Sequence, residues 1–174
     1  MPVRVCIVGC GAIGGLFAAH LAQLDDVEVW GYDVSEEHVA AINANGLRLT
    51  GYVELTGEVR ARTDPAEIPP CEFGIVAVKG TVTRPAIEAT HRVFADGAVC
   101  SVQNGIGNEE VIAEHVPRVI RGVTLPAGHV VAPGVIHMVG PGPRGNPRRN
   151  CWRGPFENFR LSTAKKGSPR TRRG

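Results

Sequence analysis

Apolar residues fall into two alternating patterns along most of the chain. The run VRVCIV at 3–8 is short, β-branched and closed by a glycine, which predicts a buried parallel strand. From Ala12 to Leu24, the residues Ile13, Leu16, Phe17, Leu21 and Leu24 recur at helical spacing. VEVW at 27–30 predicts a second strand. SEEHVAAINAN at 35–45 predicts a second helix, started by Ser35 and the acids Glu36 and Glu37. Residues 47–65 alternate in the manner of strands, with bends at Gly51 and Gly57. FGIVAVK at 73–79 reads as another buried strand, 81–94 as a helix, and AVCSVQ at 98–103 as a strand. A helix begins at 108, with Asn108 as its cap and acids in the first turn, where the helix dipole favours them. Residues 119–131 and 134–140 close the pattern as strands around a Pro133-Gly134 turn.

Strands alternating with helices at this spacing predict an α/β fold of the doubly wound Rossmann type, with a mostly parallel sheet covered on both faces. Beyond about Gly140 the alternation stops, and Gly, Pro and Arg cluster with no sustained apolar period. The expected division is a folded domain over 1–142 and a Gly/Pro/Arg-rich tail over 143–174, disordered or aberrant. Trp152, Phe156 and Phe159 are its only candidates for local docking.

Composition sharpens that division. The net charge of +2 over 174 residues hides a split. Residues 1–143 hold 9 Lys/Arg against 16 Asp/Glu, a net −7, whereas 144–174 hold 10 Lys/Arg and only Glu157, a net +9. An abrupt change of this kind resembles a reading-frame change or an engineered end. The basic tail offers charge to a nucleic acid but no folded reading element, so no nucleic-acid partner is expected. No apolar run approaches the roughly 20 residues needed to cross a bilayer. The N-terminus has glycines where the apolar region of a signal peptide would lie. Cysteines at 6, 10, 71, 100 and 151 are odd in number, without metal spacing, and mostly inside or beside apolar runs. They suit reduced, buried thiols in a cytoplasmic protein.

Gly9-Cys10-Gly11-Ala12-Ile13-Gly14 matches G-x-G-x-x-G, closes a strand, opens a helix, and precedes Asp33 by 19 residues counted from Gly14. That context is what a dinucleotide-binding loop requires, where the motif alone could be a tight βα turn. Gly9 would permit the turn, Gly11 the approach of backbone amides to a pyrophosphate, and Gly14 close packing of helix on strand, with the helix N-terminus favouring the anion. Cys10 reads as a small filler within the loop. Asp33 would accept hydrogen bonds from the adenosine ribose, favouring NADH over NADPH, or else cap a turn. Lys79, at the end of its predicted strand, lies where ligands of open α/β sheets bind. It would contact a cofactor phosphate or ribose, or a substrate carboxylate, or else be a solvated strand-end lysine. Asn104 follows another strand. Its amide can donate to a ketone or carboxylate and accept from a hydroxyl, while Asn-Gly is also a common turn. The histidines form no triad or metal spacing, and only His129 falls in a strand close to the ligand edge.

With GCGAIG, VAVKG and SVQNGIGNEE in that order, the sequence resembles the ketopantoate reductases (2-dehydropantoate 2-reductases) over roughly residues 3–142. NGLRL at 45–49 and the stretch from Arg118 to Gly142 are similar to the family's corresponding segments. The resemblance implies a Rossmann domain holding NADPH, hydride transfer to the C2 ketone of 2-dehydropantoate, and a place in pantothenate and coenzyme A synthesis. It implies that Gly9, Cys10, Gly11, Ala12, Ile13 and Gly14 hold the pyrophosphate, that Lys79 sits beside the cofactor, and that Asn104 touches cofactor and substrate. Ala127 would add a backbone contact to the cofactor. The chain departs from the family in two respects. Asp33-Val34 stands where a basic residue commonly holds the 2′-phosphate. The all-α C-terminal domain with the general-acid lysine is not evident, and Lys165 and Lys166 take no such role, so turnover by this chain is expected to be weak. The cofactor is accordingly NADPH by resemblance or NADH by Asp33, and the substrate partner a small 2-keto acid. Apolar surface left open would favour self-association, a homodimer for instance. The alternatives are a non-catalytic dinucleotide-binding module and a reductase of a related 2-keto acid.

Overall fold

A computed structural model describes residues 1–140. The expected boundary at 142 and the tail at 143–174, with Cys151, Trp152, Phe156, Phe159, Lys165 and Lys166, lie outside the described residues. In chain order the elements are β1 (Val3–Val8), α1 (Ala12–Leu21), β2 (Val27–Tyr32), α2 (Glu36–Asn45), β3 (Leu47–Gly51), β4 (Leu55–Gly57) and β5 (Arg60–Arg62). There follow β6 (Phe73–Val76), α3 (Thr83–Thr90), β7 (Ala98–Ser101), α4 (Asn108–Ala113), β8 (Val119–Arg121), β9 (Ala127–Ala132) and β10 (Val135–Gly140). None of the helices among the described residues is long and apolar enough to cross a membrane.

Six strands form one sheet in the order β5-β2-β1-β6-β7-β8, every pair parallel. This is the expected α/β architecture of Rossmann type. Residue alternation explains why β1 is apolar without a break from Val5 to Val8: Cys6 and Val8 join one buried cluster with Val76, Ile87, Phe94, Val99 and Ile112. Ile7, which points to the opposite face, is equally buried.

The alternation over 47–65 resolves into strands that serve two sheets. β3 and β4 form a hairpin, β9 and β10 another, and β3 runs parallel to β10, giving a second sheet in the order β4-β3-β10-β9. β5, by contrast, pairs with β2 at the edge of the first sheet.

Helix α1 is buried on two faces, which the spacing of its large side chains did not indicate. A Cβ on Gly14 would lie 1.8 Å from the Gly9 carbonyl oxygen, and one on Gly15 would lie 2.0 Å from Ile136 Cδ1 and 3.3 Å from Leu47 Cδ2. Gly14 therefore seats the helix on β1, and Gly15 seats the second sheet on the helix. The helix stops at Leu21 rather than Leu24. The Gln23 N–H bonds to the His20 carbonyl at 3.1 Å and that of Leu24 to the Leu21 carbonyl at 3.0 Å, tightening the exit turn.

The strand expected over 119–131 divides into β8 and β9, which join different sheets, and three further boundaries shift for local reasons. The strand expected at 73–79 ends at Val76. Ala77 still donates to the Val8 carbonyl, but the Val78 carbonyl is taken by the Gln103 side chain at 2.8 Å, so the ladder stops. The strand expected at 98–103 ends at Ser101. The helix expected over 81–94 divides into a 3-10 turn at Gly80–Val82, α3, and a second 3-10 turn at His91–Phe94.

Cys6, Cys10 and Cys71 are buried, and Cys100 is partly so. Hydrogen bonding to Cys71, with burial, holds the Cys6 thiol well above its ordinary range. Burial and then the nearby Asp33 carboxylate do the same for Cys10. Thiols held protonated and out of water react slowly. Treatment of the native chain with a thiol reagent at pH 7.5 should leave Cys6, Cys10 and Cys71 unmodified by peptide mapping, and denaturant should make all three reactive.

Packing at the sheet face gives a second expectation. A Cβ on Gly74 would lie 2.6 Å from the fully buried Phe94 ring. Gly74→Ala should therefore cost about 1–3 kcal/mol in urea unfolding through overpacking. A loss below about 0.5 kcal/mol would show that the ring has room to move.

Candidate functional site

Strand register places the expected site residues along one edge. Tyr32 lies opposite Val8, Val8 opposite Val76, and Val76 opposite Ser101. The chain therefore leaves the sheet side by side at Asp33, at the Gly9 loop, at the loop carrying Lys79 and at the loop carrying Asn104. The strand order reverses between β1 and β6, the kind of switch point at which open α/β sheets bind ligands. Lys79 and Asn104 each stand three residues past their strands rather than directly upon them.

The glycine loop owes its shape to backbone approach. Gly9 adopts φ +91°, a region that side chains rarely enter, and its N–H bonds to the Tyr32 carbonyl at 2.8 Å. Gly11 is the N-cap of α1, with no side chain capping the helix and nothing within 4 Å of where its own Cβ would be. The first amides of α1, at Ala12 and Ile13, thus begin beneath open space, a cradle suited to an anion. Cys10 turns its thiol inward: a Cβ on Gly31 would lie 2.5 Å from its sulfur. That geometry agrees with a filler role.

Asp33 is committed to the loop. One carboxylate oxygen accepts the Cys10 N–H at 2.9 Å and the other the Ser35 N–H at 3.0 Å. Ser35 in turn caps α2, accepting from the His38 N–H at 3.3 Å. A cleft of about 340 Å³ opens here, lined by Gly11, Asp33, Ser35 and His38 together with residues 130–133 of the β9–β10 hairpin. Arg62, opposite Tyr32 on β5, is held by Glu67 at 3.0 Å and lies 5.5 Å over the Trp30 ring.

The loops bearing Lys79 and Asn104 are joined beneath the surface by amides and hydroxyls. The Gln103 amide donates to the Val78 carbonyl at 2.8 Å and to the Thr83 hydroxyl at 2.7 Å, while Ser101 donates to the Gln103 oxygen at 3.2 Å. The Thr83 hydroxyl shares its one proton between Asn108 Oδ1 at 2.9 Å and the Gly80 carbonyl at 3.0 Å. Asn108 then donates from Nδ2 to the Asn104 carbonyl at 3.1 Å. Asn108 is therefore not the cap of α4: Gly107, at φ +95°, takes that position. The amide pair in the QNG run divides its work. Gln103 is a buried brace, and Asn104 presents an exposed side chain, as does Lys79. Neither of these two side chains makes a hydrogen bond or ion pair among the described residues.

Ala127 opens β9 in the second sheet, and His129 is exposed on the same strand, opposite His137 with 5.3 Å between ring centres. No group of His, Cys, Asp and Glu able to hold a metal occurs among the described residues. Sequence reasoning missed the bracing residues His38, Thr83 and Gln103. The spacing Gln103-x-x-x-x-Asn108 after a strand was their only trace, and a helix-periodic His38 gave none.

Comparison with known proteins agrees with this geometry. The family model described as ketopantoate reductase PanE/ApbA matches residues 5–144. The 2-dehydropantoate 2-reductase of Pyrococcus abyssi is 38% identical over 141 residues, covering 80% of this chain and 46% of that protein. The chain thus spans about half the length of the curated relatives it matches. A PanE/ApbA family ketopantoate reductase from Ralstonia eutropha JMP134 superposes with a TM-score of 0.73 at 30% identity, over 79% of this chain and 47% of that one. A D-mandelate dehydrogenase bound to NADH and anilino(oxo)acetate superposes with a TM-score of 0.72 at 25% identity, over 79% and 46%. On this match over most of its length, the chain belongs to the ketopantoate reductase family.

Proposed function

We propose that residues 1–142 form the cofactor-binding domain of a reductase that converts 2-dehydropantoate to pantoate. The observation that carries this reading is the register of the sheet, which sets the glycine loop, Asp33, Lys79 and Asn104 along one edge. The family and the names of its members support a nicotinamide cofactor and a 2-keto acid substrate. The open space over Gly11 fits a pyrophosphate.

Each residue then has a task. The loop from Gly9 to Gly14, including Cys10, Ala12 and Ile13, offers backbone amides to the pyrophosphate. Reduced nicotinamide dinucleotide supplies the hydride when bound. Lys79 brings a positive charge to the phosphate or to the substrate carboxylate, and Asn104 donates an amide N–H to the ketone oxygen as charge develops there. Ala127 adds a backbone contact. The Thr83–Gln103–Asn108 network keeps the Lys79 and Asn104 loops at a fixed separation, so that neither has to be ordered during reaction. A related 2-keto acid is the alternative substrate, favoured by the likeness to D-mandelate dehydrogenase.

The cleft supports NADH as the cofactor. Each Asp33 oxygen, though bonded to one backbone N–H, keeps a further lone pair for a ribose hydroxyl. A 2′-phosphate would face that carboxylate, and the neighbouring Arg62 is engaged with Glu67 and Trp30.

Titration followed by reduced-nicotinamide fluorescence should give NADH an affinity about tenfold above that of NADPH, the size of a like-charge interaction across water. Asp33→Asn should narrow the ratio to about threefold or less. Tighter binding of NADPH by the unaltered chain would reverse the assignment of cofactor. Binding of neither, by a chain with native circular dichroism, would remove the cofactor reading.

The network makes a separate prediction. Thr83→Val preserves shape but strips partners from the buried Gln103 and Asn108 amides, so urea unfolding should register a loss of about 1–3 kcal/mol. If stability is unchanged, the hydroxyl is not what joins the two loops.

A further inference from the structure

His38 is buried, and both of its ring nitrogens are engaged by backbone on different elements. Nδ1 lies 3.0 Å from the Gly134 amide nitrogen, in the turn of the β9–β10 hairpin. A backbone N–H can only donate, so Nδ1 must be the unprotonated acceptor. Nε2 lies 2.9 Å from the Cys10 carbonyl oxygen, which can only accept, so Nε2 carries the proton. The surroundings thus select one neutral tautomer, and through it a single side chain joins the glycine loop to the hairpin.

Those are the two elements between which the cleft at Asp33 is formed. Gly11, Asp33 and His38 contribute to its lining, and so do residues 130–133 just before the turn. The turn also rests on α2, where a Cβ on Gly134 would meet Ala41 at 3.2 Å, and the Gly134 carbonyl accepts the Arg48 N–H at 2.9 Å. We propose that His38 is the positioning residue for the adenosine end of the dinucleotide, setting the width of the cleft by tying the glycine loop to the hairpin turn as a neutral imidazole. The proposal rests on the cofactor reading above for the identity of the ligand, and on the two hydrogen bonds for the tie itself.

Protonation breaks the tie by geometry. A proton on Nδ1 would point at the Gly134 N–H, opposing two donors in a buried place and releasing the hairpin. Among the groups lining the cleft, Asp33 is the one carboxylate, and it is bonded to the Cys10 and Ser35 amides. Glu36 and Glu37 lie exposed on the same helix as His38, and the Cys10 thiol points away toward Gly31. Residues 130–134 of the hairpin carry no titratable side chain, and the nearest are His129 and His137 on its strands.

Two measurements on the whole chain test this. Nitrogen-15 spectra of the imidazoles at pH 7.5 should show His38 as the Nε2–H tautomer, with the Gly134 amide protected from exchange. An Nδ1–H tautomer, or a charged ring, would overturn the proposal whether or not any dinucleotide binds. In NADH titrations at pH 7.5, His38→Phe, which can neither donate to the Cys10 carbonyl nor accept from the Gly134 N–H, should lose about tenfold in affinity, and an unchanged affinity would overturn the proposal. His38→Gln, whose amide can both accept and donate, should stay within about twofold of the parent affinity, and His129→Gln should keep it. If neither NADH nor NADPH binds, the cofactor reading fails, and the tautomer and the exchange rate alone decide the tie.

Discussion

The close approach of helix α1 to the two sheets is the constraint on which the rest of the structure depends. At Gly14 the helix comes so near the Gly9 carbonyl that a methyl group would overlap it, and at Gly15 the side chain of Ile136 occupies the space a methyl would need. Packing on both faces explains why Ala18 and Ala19 are as buried as Leu16. Small residues forgo side-chain burial but let backbone and large neighbouring side chains meet across the helix, at the close packing typical of interiors. The second sheet, and with it the hairpin that lines the cleft, is seated through this contact. A larger residue at either glycine would therefore disturb the loop geometry and the cleft together.

Both ends of the candidate site are held by hydrogen bonds between side chains and backbone, with different chemistry at each. Under Lys79 and Asn104 the braces are neutral: a hydroxyl and two amides, every one buried and every one partnered. Neutral groups can be kept from water at modest cost when their bonds are satisfied, and they do not titrate near neutral pH. At Asp33 the braces include a carboxylate and an imidazole, set beside a cleft open to solvent. A carboxylate holds amide partners more strongly than a neutral group does, and Asp33 is only partly buried beside the cleft, while the buried imidazole has both ring nitrogens engaged.

The architecture was legible in the sequence because period and glycine placement report directly on backbone form. The run VRVCIV, the loop GCGAIG and Asp33 predicted strand, turn and acid, and the fold has each in that order. Boundaries were less legible where side chains captured main-chain groups. The strands expected at 73–79 and 98–103 end early because Gln103 reaches back to Val78, and no local pattern encodes an interaction across 25 residues. The second sheet was unreadable for the same reason: β3 and β10 are separated by about half of the chain, and the alternation of 47–65 says only that strands form, not which sheet they join. The bracing residues His38 and Thr83 look like ordinary helix positions until the fold brings Cys10, Gly134 and Asn108 against them.

That division suggests what the QNG run is for within the fold. Gln103 points inward and binds the neighbouring loop, while the next residue, Asn104, points its amide outward and is tied only through its carbonyl. Adjacent residues in extended chain face opposite sides, so one step along the backbone separates scaffold from candidate chemistry. Gly105 and Gly107 then turn the chain with positive φ into α4, which returns Asn108 beneath Asn104. An exposed amide on a loop would ordinarily be mobile. Here the rigidity comes from the carbonyl of the same residue, held at 3.1 Å by Asn108, and from Arg121, which reaches the Gly105 carbonyl at 3.0 Å. The backbone that carries the outward amide is therefore held without spending the amide's own hydrogen-bonding capacity, so that its donor and acceptor both stay free to meet a ligand.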